Sequence, residues 1–181
     1  MTPAGYFWTT YLTALTIGGL SFLDIAPRLI WNASASVPVG FYTLRGEPKL
    51  LVGDLVVVDP PEPLATFMIA RGYIAPGVPL LKHIAALPGQ RVCRLRSTIT
   101  VDGAETGEAL DRDRMGRDLP VWQGCRIIAE GEIFLMNAQV SDSLDGRYFG
   151  PIPASSIIGR AIPLWTDADG DGRYVWRAPT Q

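Results

Sequence analysis

Hydrophobic and polar positions divide the 181-residue chain into two unlike regions. From Met1 to Leu23 no side chain is charged, and Tyr6 to Leu23 is mostly apolar with no polar face. A helix that is apolar all round is buried in protein or in lipid. Roughly 20 apolar residues span a bilayer core, so a transmembrane helix is expected here. Thr9, Thr10 and Thr13 dilute it, whereas Gly18 and Gly19 are compatible with it. Tyr6, Phe7 and Trp8 at one end, and Trp31 beyond the other, fit interfacial positions. Two other readings compete. Ala33-Ser34-Ala35 has the small-x-small form of a leader cleavage site, but no Lys or Arg precedes the apolar run, and Asp24, Pro27 and Arg28 lie in between. A buried soluble helix would need a polar face. The expected division is an anchor over residues 1–28 and a second domain over residues 29–181. Arg28 alone flanks the apolar run and by itself favours the topology opposite to an external domain.

Beyond Gly40 the periodicity shortens to that of strands. Phe41–Leu44 and Asp54–Val58 read as strands punctuated by Gly46, Pro48 and Gly53. Pro60-Pro61 stops the second. Glu62–Tyr73 reads as a short helical insertion, ended by the Pro76-Gly77 turn. Leu80–Gly89 follows as a strand, with Leu80, Lys82, Ile84 and Ala86 on one face and Leu81, His83, Ala85 and Leu87 on the other. Arg91–Leu95 and Thr98–Val101 form a hairpin pair followed by the Asp102-Gly103 turn. Residues 104–120 read as an exposed polar loop. Cys125–Ile128 and Glu132–Met136 are strands, Asn137–Gly150 a loop, and Ile157–Trp165 a last strand. The fold expected is mainly β, with one N-terminal helix and one helical insertion.

Composition narrows the function. Lys plus Arg number 16 and Asp plus Glu 18, a net charge of -2, so the clustered basic footprint of a nucleic-acid binder is missing. Two cysteines, Cys93 and Cys125, leave two states open: one bridge in an oxidising compartment, or two unpaired core thiols. Asp167-Ala168-Asp169-Gly170-Asp171-Gly172 imitates the start of a calcium loop, but Ala178 stands where the closing Glu belongs, so a polar turn is expected and no metal or cofactor.

Lys82 is the most informative polar residue. Both faces of its strand are mainly apolar, and lysine is almost never fully buried without a partner or a task. Desolvation favours the neutral amine that a general base near neutral pH must be. Snorkelling or pairing with a carboxylate is the plainer alternative. A serine near a Pro and a Gly, as in Ser34-Ala35-Ser36-Val37-Pro38-Val39-Gly40, marks only a turn on its own.

Three stretches in order carry a resemblance. Ser34–Pro38, Lys82–Gln90 and Asp142-Ser143-Leu144-Asp145-Gly146-Arg147-Tyr148-Phe149-Gly150-Pro151-Ile152-Pro153 are similar to the segments that define the signal peptidase I family of membrane-anchored serine proteases. The form Ser-x-Pro-x-Gly-x-Tyr and the small size resemble its branch of conjugative-transfer peptidases that mature pilin subunits. The resemblance implies a signal-peptidase-like β domain in which Ser36 is the nucleophile and Lys82 the base. It implies Asp145 in a catalytic or supporting place, and Ser34 with the Ser36 N–H as oxyanion donors. Ser143 would orient the lysine, and Arg147 would pair with Asp145. It also implies a single-pass inner-membrane protein facing the periplasm, with precursor pilin or another secreted preprotein as substrate and membrane lipid as surroundings. Hydrolysis and cyclisation share the dyad and stay open. Val37 replaces the usual Met, and Met-Asn-Ala-Gln-Val-Ser replaces a Gly-Asp-Asn type stretch before Asp142, which argues against housekeeping leader cleavage. His83, the single histidine, offers a Ser-His-Asp alternative, but period two turns it away from Lys82. The remaining alternatives are a general signal peptidase and a non-enzymatic assembly component.

Overall fold

The computed structural model describes residues 2–20, 28–46 and 49–179. Helix α1 covers Pro3–Leu20, and strands β1 Leu29–Asn32 and β2 Val39–Arg45 follow. Next come β3 Leu55–Val58, α2 Glu62–Ala70, β4 Leu80–Ala86, β5 Arg91–Leu95, β6 Thr98–Val101 and β7 Ala104–Glu108. The chain continues through β8 Gly124–Ile127, β9 Glu132–Leu135, the short α3 Gly146–Phe149, β10 Ile152–Pro153, β11 Ile157–Asp167 and β12 Val175–Trp176. The strands make two antiparallel sheets. One runs β1-β2-β11-β3-β4-β9-β10 with β12 beside β11, and the other runs β7-β6-β5-β8. The mainly β expectation therefore holds.

Strand β3, Leu-Val-Val-Val, is buried at every position and sits inside the large sheet. Val56 and Val58 face one core with Met68 of α2, Leu80 and Ile84, while Leu55 and Val57 face a second core with Val37, Tyr42 and Leu81. Lys82 pairs with Val56 across β3 and β4, so its face of the strand belongs to the α2 side. Helix α2 opens behind Pro61 with Glu62 in its first turn and stops at Arg71, because Gly72 takes a left-handed φ of 69°. It is thus three residues shorter than the expected 62–73.

Two stretches expected to be loops carry regular structure: Gly146–Phe149 within 137–150 is the helix α3, and residues 104–120 hold a strand. Residues 104–120 are not all loop: Ala104–Glu108 is the edge strand β7, hydrogen-bonded to β6 across the turn in which Asp102 and Gly103 both take positive φ. Its side chains are largely exposed, so the polar pattern hides a strand made by main-chain pairing alone. Of the expected anchor, the helix is present over Pro3–Leu20. Helix α1 has 18 residues, about 27 Å at 1.5 Å per residue against a bilayer core of about 30 Å. Among the described residues no helix is long and apolar enough to cross a membrane. The threonines and glycines within α1 lower its apolarity, and residues 21–27 of the expected anchor lie outside the described residues. The large apolar side chains of α1, among them Tyr6, Phe7, Trp8, Leu12 and Leu15, are exposed. The hydroxyls of Thr9 and Thr16 bond back to the carbonyls of Gly5 and Leu12.

Register decides the question left open for the cysteines. Cys93 and Cys125 stand directly opposite on β5 and β8 and are joined in a disulfide. The bridge closes a loop with a sequence separation of 32. Replacing both cysteines by serine should lower unfolding stability by about 4 kcal/mol through the entropy regained by the unfolded chain. Urea unfolding of the two forms checks it: equal midpoints would mean that β5–β8 pairing already holds this region.

Candidate active site

Strand β1 ends at Asn32, and the chain turns through Ser34 and Ser36 before β2 begins. The turn is built on the Asn32 side chain. Its Nδ2 donates to the carbonyls of Ser34 (2.8 Å), Val37 (3.1 Å) and Pro38 (3.1 Å). Its Oδ1 accepts from the Ser34 N–H (3.1 Å) and the Ser34 hydroxyl (2.9 Å). The Tyr42 hydroxyl donates to Pro38 O at 2.5 Å from the β2 side. Gly40 closes the turn against β11, where its φ is 148° and a Cβ would lie 2.3 Å from Trp165 O. Only glycine fits there. Within this frame Ser34 Oγ and Ser36 Oγ lie 3.1 Å apart.

Lys82 is 4% exposed. Its Nζ lies 2.6 Å from Ser143 Oγ, across 61 residues of sequence. Burial brings its pKa down to about 8; the Asp145 charge opposes that shift and the Arg147 charge adds to it. The two opposite charges act on the amine in opposing senses, so desolvation sets its state.

Asp145 and Arg147 form a bidentate pair, Nε to Oδ1 and Nη2 to Oδ2, both 2.9 Å, with the side chains 0% and 1% exposed. The main-chain N–H groups of Arg147 and Asn137 complete the carboxylate at 3.2 and 3.0 Å. The remaining guanidinium donors reach the carbonyls of Asn137, Val140, Ser141, Ser143 and Glu108. Arg147 therefore gathers the loop that presents Ser143 to Lys82. Gly146 between the pair is required by space, since a Cβ there would sit 2.6 Å from the Phe134 ring and 2.7 Å from Leu135 O.

Ser34, Ser36, Lys82 and Ser143 line one cleft of about 470 Å³. His83 lines a second, of about 740 Å³, that Ser36 also borders. The alternation along β4 thus puts Lys82 and His83 on different sides, as period two requires. The His83 ring bonds to Asn137 Oδ1 at 3.1 Å, an amide and not a carboxylate. Burial lowers its pKa and the Asn137 bond opposes the shift. The Ser-His-Asp alternative therefore lacks its acid, because Asp145 is committed to Arg147. Ser36 and Lys82 share the smaller cleft without a direct hydrogen bond, and Asp145 hydrogen-bonds to neither. In the Asp167–Gly172 turn, the Asp167 carboxylate is occupied by the N–H groups of Asp171 and Gly172. Among the described residues no group of three or more metal-ligating side chains occurs.

Two residues escaped the sequence reading, Asn32 and Asn137. Each buried asparagine organises main-chain groups of a loop. An asparagine after a strand ordinarily signals only a turn, so nothing in the local sequence marked either.

A family model described as signal peptidase, peptidase S26, matches residues 4–165. A conjugal transfer protein TraF of Agrobacterium fabrum is 34% identical over 168 residues, covering 86% of this chain and 92% of that protein. A plasmid transfer protein TraF of Escherichia coli is 32% identical over 164 residues, covering 84% of this chain and 90% of that protein. A crystal structure of a signal peptidase I from Enterococcus faecalis aligns with a TM-score of 0.37 and 19% identity, over 62% of this chain and 96% of that one.

Proposed function

The chain belongs to the signal peptidase family, peptidase S26, and from that premise we propose that it is a membrane-held Ser/Lys endopeptidase processing precursor pilin of a conjugative transfer system. The observation that carries the chemistry is a buried lysine amine, its pKa near 8, held by Ser143 in the cleft that Ser36 lines. Such an amine is partly neutral at physiological pH and can accept a hydroxyl proton.

In this reading Ser36 turns from Ser34 toward Lys82, and Oγ attacks the scissile carbonyl as its proton passes to Nζ. The oxyanion is met by the Ser36 N–H and the Ser34 hydroxyl, which first leaves Asn32 Oδ1. Collapse of the tetrahedral species breaks the C–N bond, and the leaving amine takes the proton from Lys82. An acyl-Ser36 ester remains. Water, or an amine of the substrate itself, then attacks that ester with Lys82 again as base, giving a hydrolysed or a cyclic product. Asp145 and Arg147 touch no reacting atom and act by shaping the Ser143 loop and the field at Lys82.

The membrane is supported by the apolar, exposed surface of α1 and by a second set of rings. Trp31, Phe41, Trp165 and Tyr174 are in mutual contact on β1, β2, β11 and the turn before β12, with Trp31 and Trp165 exposed. Aromatic rings of this kind favour the headgroup region. In this reading residues 1–28 hold the enzyme at the inner membrane and residues 29–181 face the periplasm. A disulfide fits that oxidising compartment.

The pilin substrate rests on the relatives named for conjugal and plasmid transfer. Mass spectrometry of secreted proteins from cells carrying the wild-type chain or Ser36→Ala tests it. One dominant unprocessed precursor, the pilin, is expected in the variant. Accumulation of many unrelated leader-bearing proteins would replace the pilin reading by general signal-peptide cleavage, and normal processing throughout would remove Ser36 as nucleophile.

A further inference from the structure

We infer that Asn137 is a positioning residue that sets the distance between the nucleophile turn and the lysine strand; the inference rests on the Ser36/Lys82 reading above. Strand β9 pairs with β4 through Ile84↔Leu135, and Met136 N–H still donates to His83 O at 2.9 Å. One residue later the backbone of β9 leaves the sheet. The Asn137 side chain takes over its place in the ladder: Oδ1 accepts from the His83 N–H (3.1 Å) and Nδ2 donates to Leu81 O (3.2 Å). Leu81 and His83 are the two neighbours of Lys82, and their inward-pointing groups lie on the same edge of the strand.

The second Nδ2 proton goes to Ser36 O at 2.8 Å. The second Oδ1 lone pair meets His83 Nδ1 at 3.1 Å. All four hydrogen-bonding positions of the amide are thereby used. Its orientation follows from chemistry, since Leu81 O and Ser36 O can only accept. The main chain of the same residue is fixed as well, its N–H on Asp145 Oδ2 at 3.0 Å and its O on Arg147 Nη2 at 3.2 Å. One residue, 2% exposed, thus joins the Ser36 turn, both flanks of Lys82 and the Asp145–Arg147 pair. Its side chain joins the first two and its main chain the third. Because Ser36 and Lys82 share a cleft without a direct bond, this amide is the structural link between nucleophile and base.

The test uses the full-length chain in detergent or vesicles, with an internally quenched peptide that carries alanine before the scissile bond. Asn137→Ala and the isosteric Asn137→Asp are compared with wild type and Ser36→Ala, with folded fraction read from near-ultraviolet dichroism. Asn137→Ala should lower kcat per folded molecule at least tenfold, since misplacement by about 1 Å can cost about 10²-fold. KM should stay within about threefold, and the midpoint of the pH–rate profile should stay where it is in the wild type. Asn137→Asp should lose as much kcat and also move that midpoint upward, because a buried carboxylate beside Lys82 favours the ammonium. A loss of kcat under tenfold in either folded variant overturns the inference, and so does failure of both to fold, which would make Asn137 a residue of stability alone. If wild type and Ser36→Ala behave alike, the dyad reading itself falls and carries this inference with it.

Discussion

Lys82→Met is expected to abolish peptide cleavage, by about 10⁴-fold, while making the folded protein more stable at neutral pH. The two effects have one cause. Burial lowers the amine pKa from 10.5 to about 8, so the unfolded chain binds more protons than the folded one between those values. Stability therefore rises as pH climbs from about 8 to 10.5, and below pH 8 the whole penalty is present, on the order of 3 kcal/mol. Methionine removes the penalty and forfeits the bond to Ser143, worth about 1 kcal/mol. The net gain at pH 7 is about 2 kcal/mol, which for a domain of this size is a rise in Tm of about 4–8 °C. Calorimetry at pH 7 and pH 10.5 checks it, with the gain expected at the lower pH and absent at the higher. A variant less stable than wild type at pH 7 would mean that the amine is not held desolvated. In the wild type the same group predicts that kcat/KM climbs tenfold per pH unit below about 8 and levels off above it. A profile flat from pH 6 to 9 would remove Lys82 as the base.

Arg147→Ala should cost about 3–5 kcal/mol in stability, the largest loss expected of any single change in the site. It leaves the fully buried Asp145 without its counter-ion and deprives the carbonyls of the 137–143 loop of their donor. Activity should respond separately from stability. Arg147 lowers the pKa of Lys82 and Asp145 raises it, so removing the guanidinium alone leaves the carboxylate unopposed and shifts the acid limb of the rate profile to higher pH. Removing both residues should bring the limb back toward its wild-type position. Arg147→Lys should rescue little, because an ammonium cannot reproduce the fork that holds both carboxylate oxygens and the loop carbonyls. Urea unfolding and pH–rate profiles of the three variants decide it. A loss below 1 kcal/mol for Arg147→Ala, or an acid limb that does not move, would contradict the buried pair as described.

Most strands were legible because their side chains alternate or are continuously branched: Leu55–Val58 and the β5–β6 hairpin lie within a residue of where periodicity places them, and the strand expected over Leu80–Gly89 ends three residues early, at Ala86. The exceptions have separate reasons. Strand β7 is polar and exposed and is held only by main-chain bonds to β6. Strands β10 and β12 are two residues long each, too short for any period to show. The apolar N-terminal run was legible as a helix, but its expected span of the bilayer is not met by Pro3–Leu20 alone, whose threonines and glycines dilute it.

That Lys82 and His83 face opposite ways follows from the residue order alone, because a strand alternates. A lysine flanked on its own face by Leu80 and Ile84 raises desolvation as one reading beside snorkelling, and the fold chooses between them by burying Lys82 to 4% exposure. The Asp145–Arg147 pair is implied by the family resemblance, and the fold makes it. That Cys93 meets Cys125 could come only from the fold, since it depends on which strands become neighbours. The same is true of Lys82 meeting Ser143, and of Asn137 reaching Ser36 across 101 residues. An amide side chain has no local signature for such a task. Its partners are main-chain groups present at every residue, and which of them it meets is fixed only when β9 leaves the sheet beside β4.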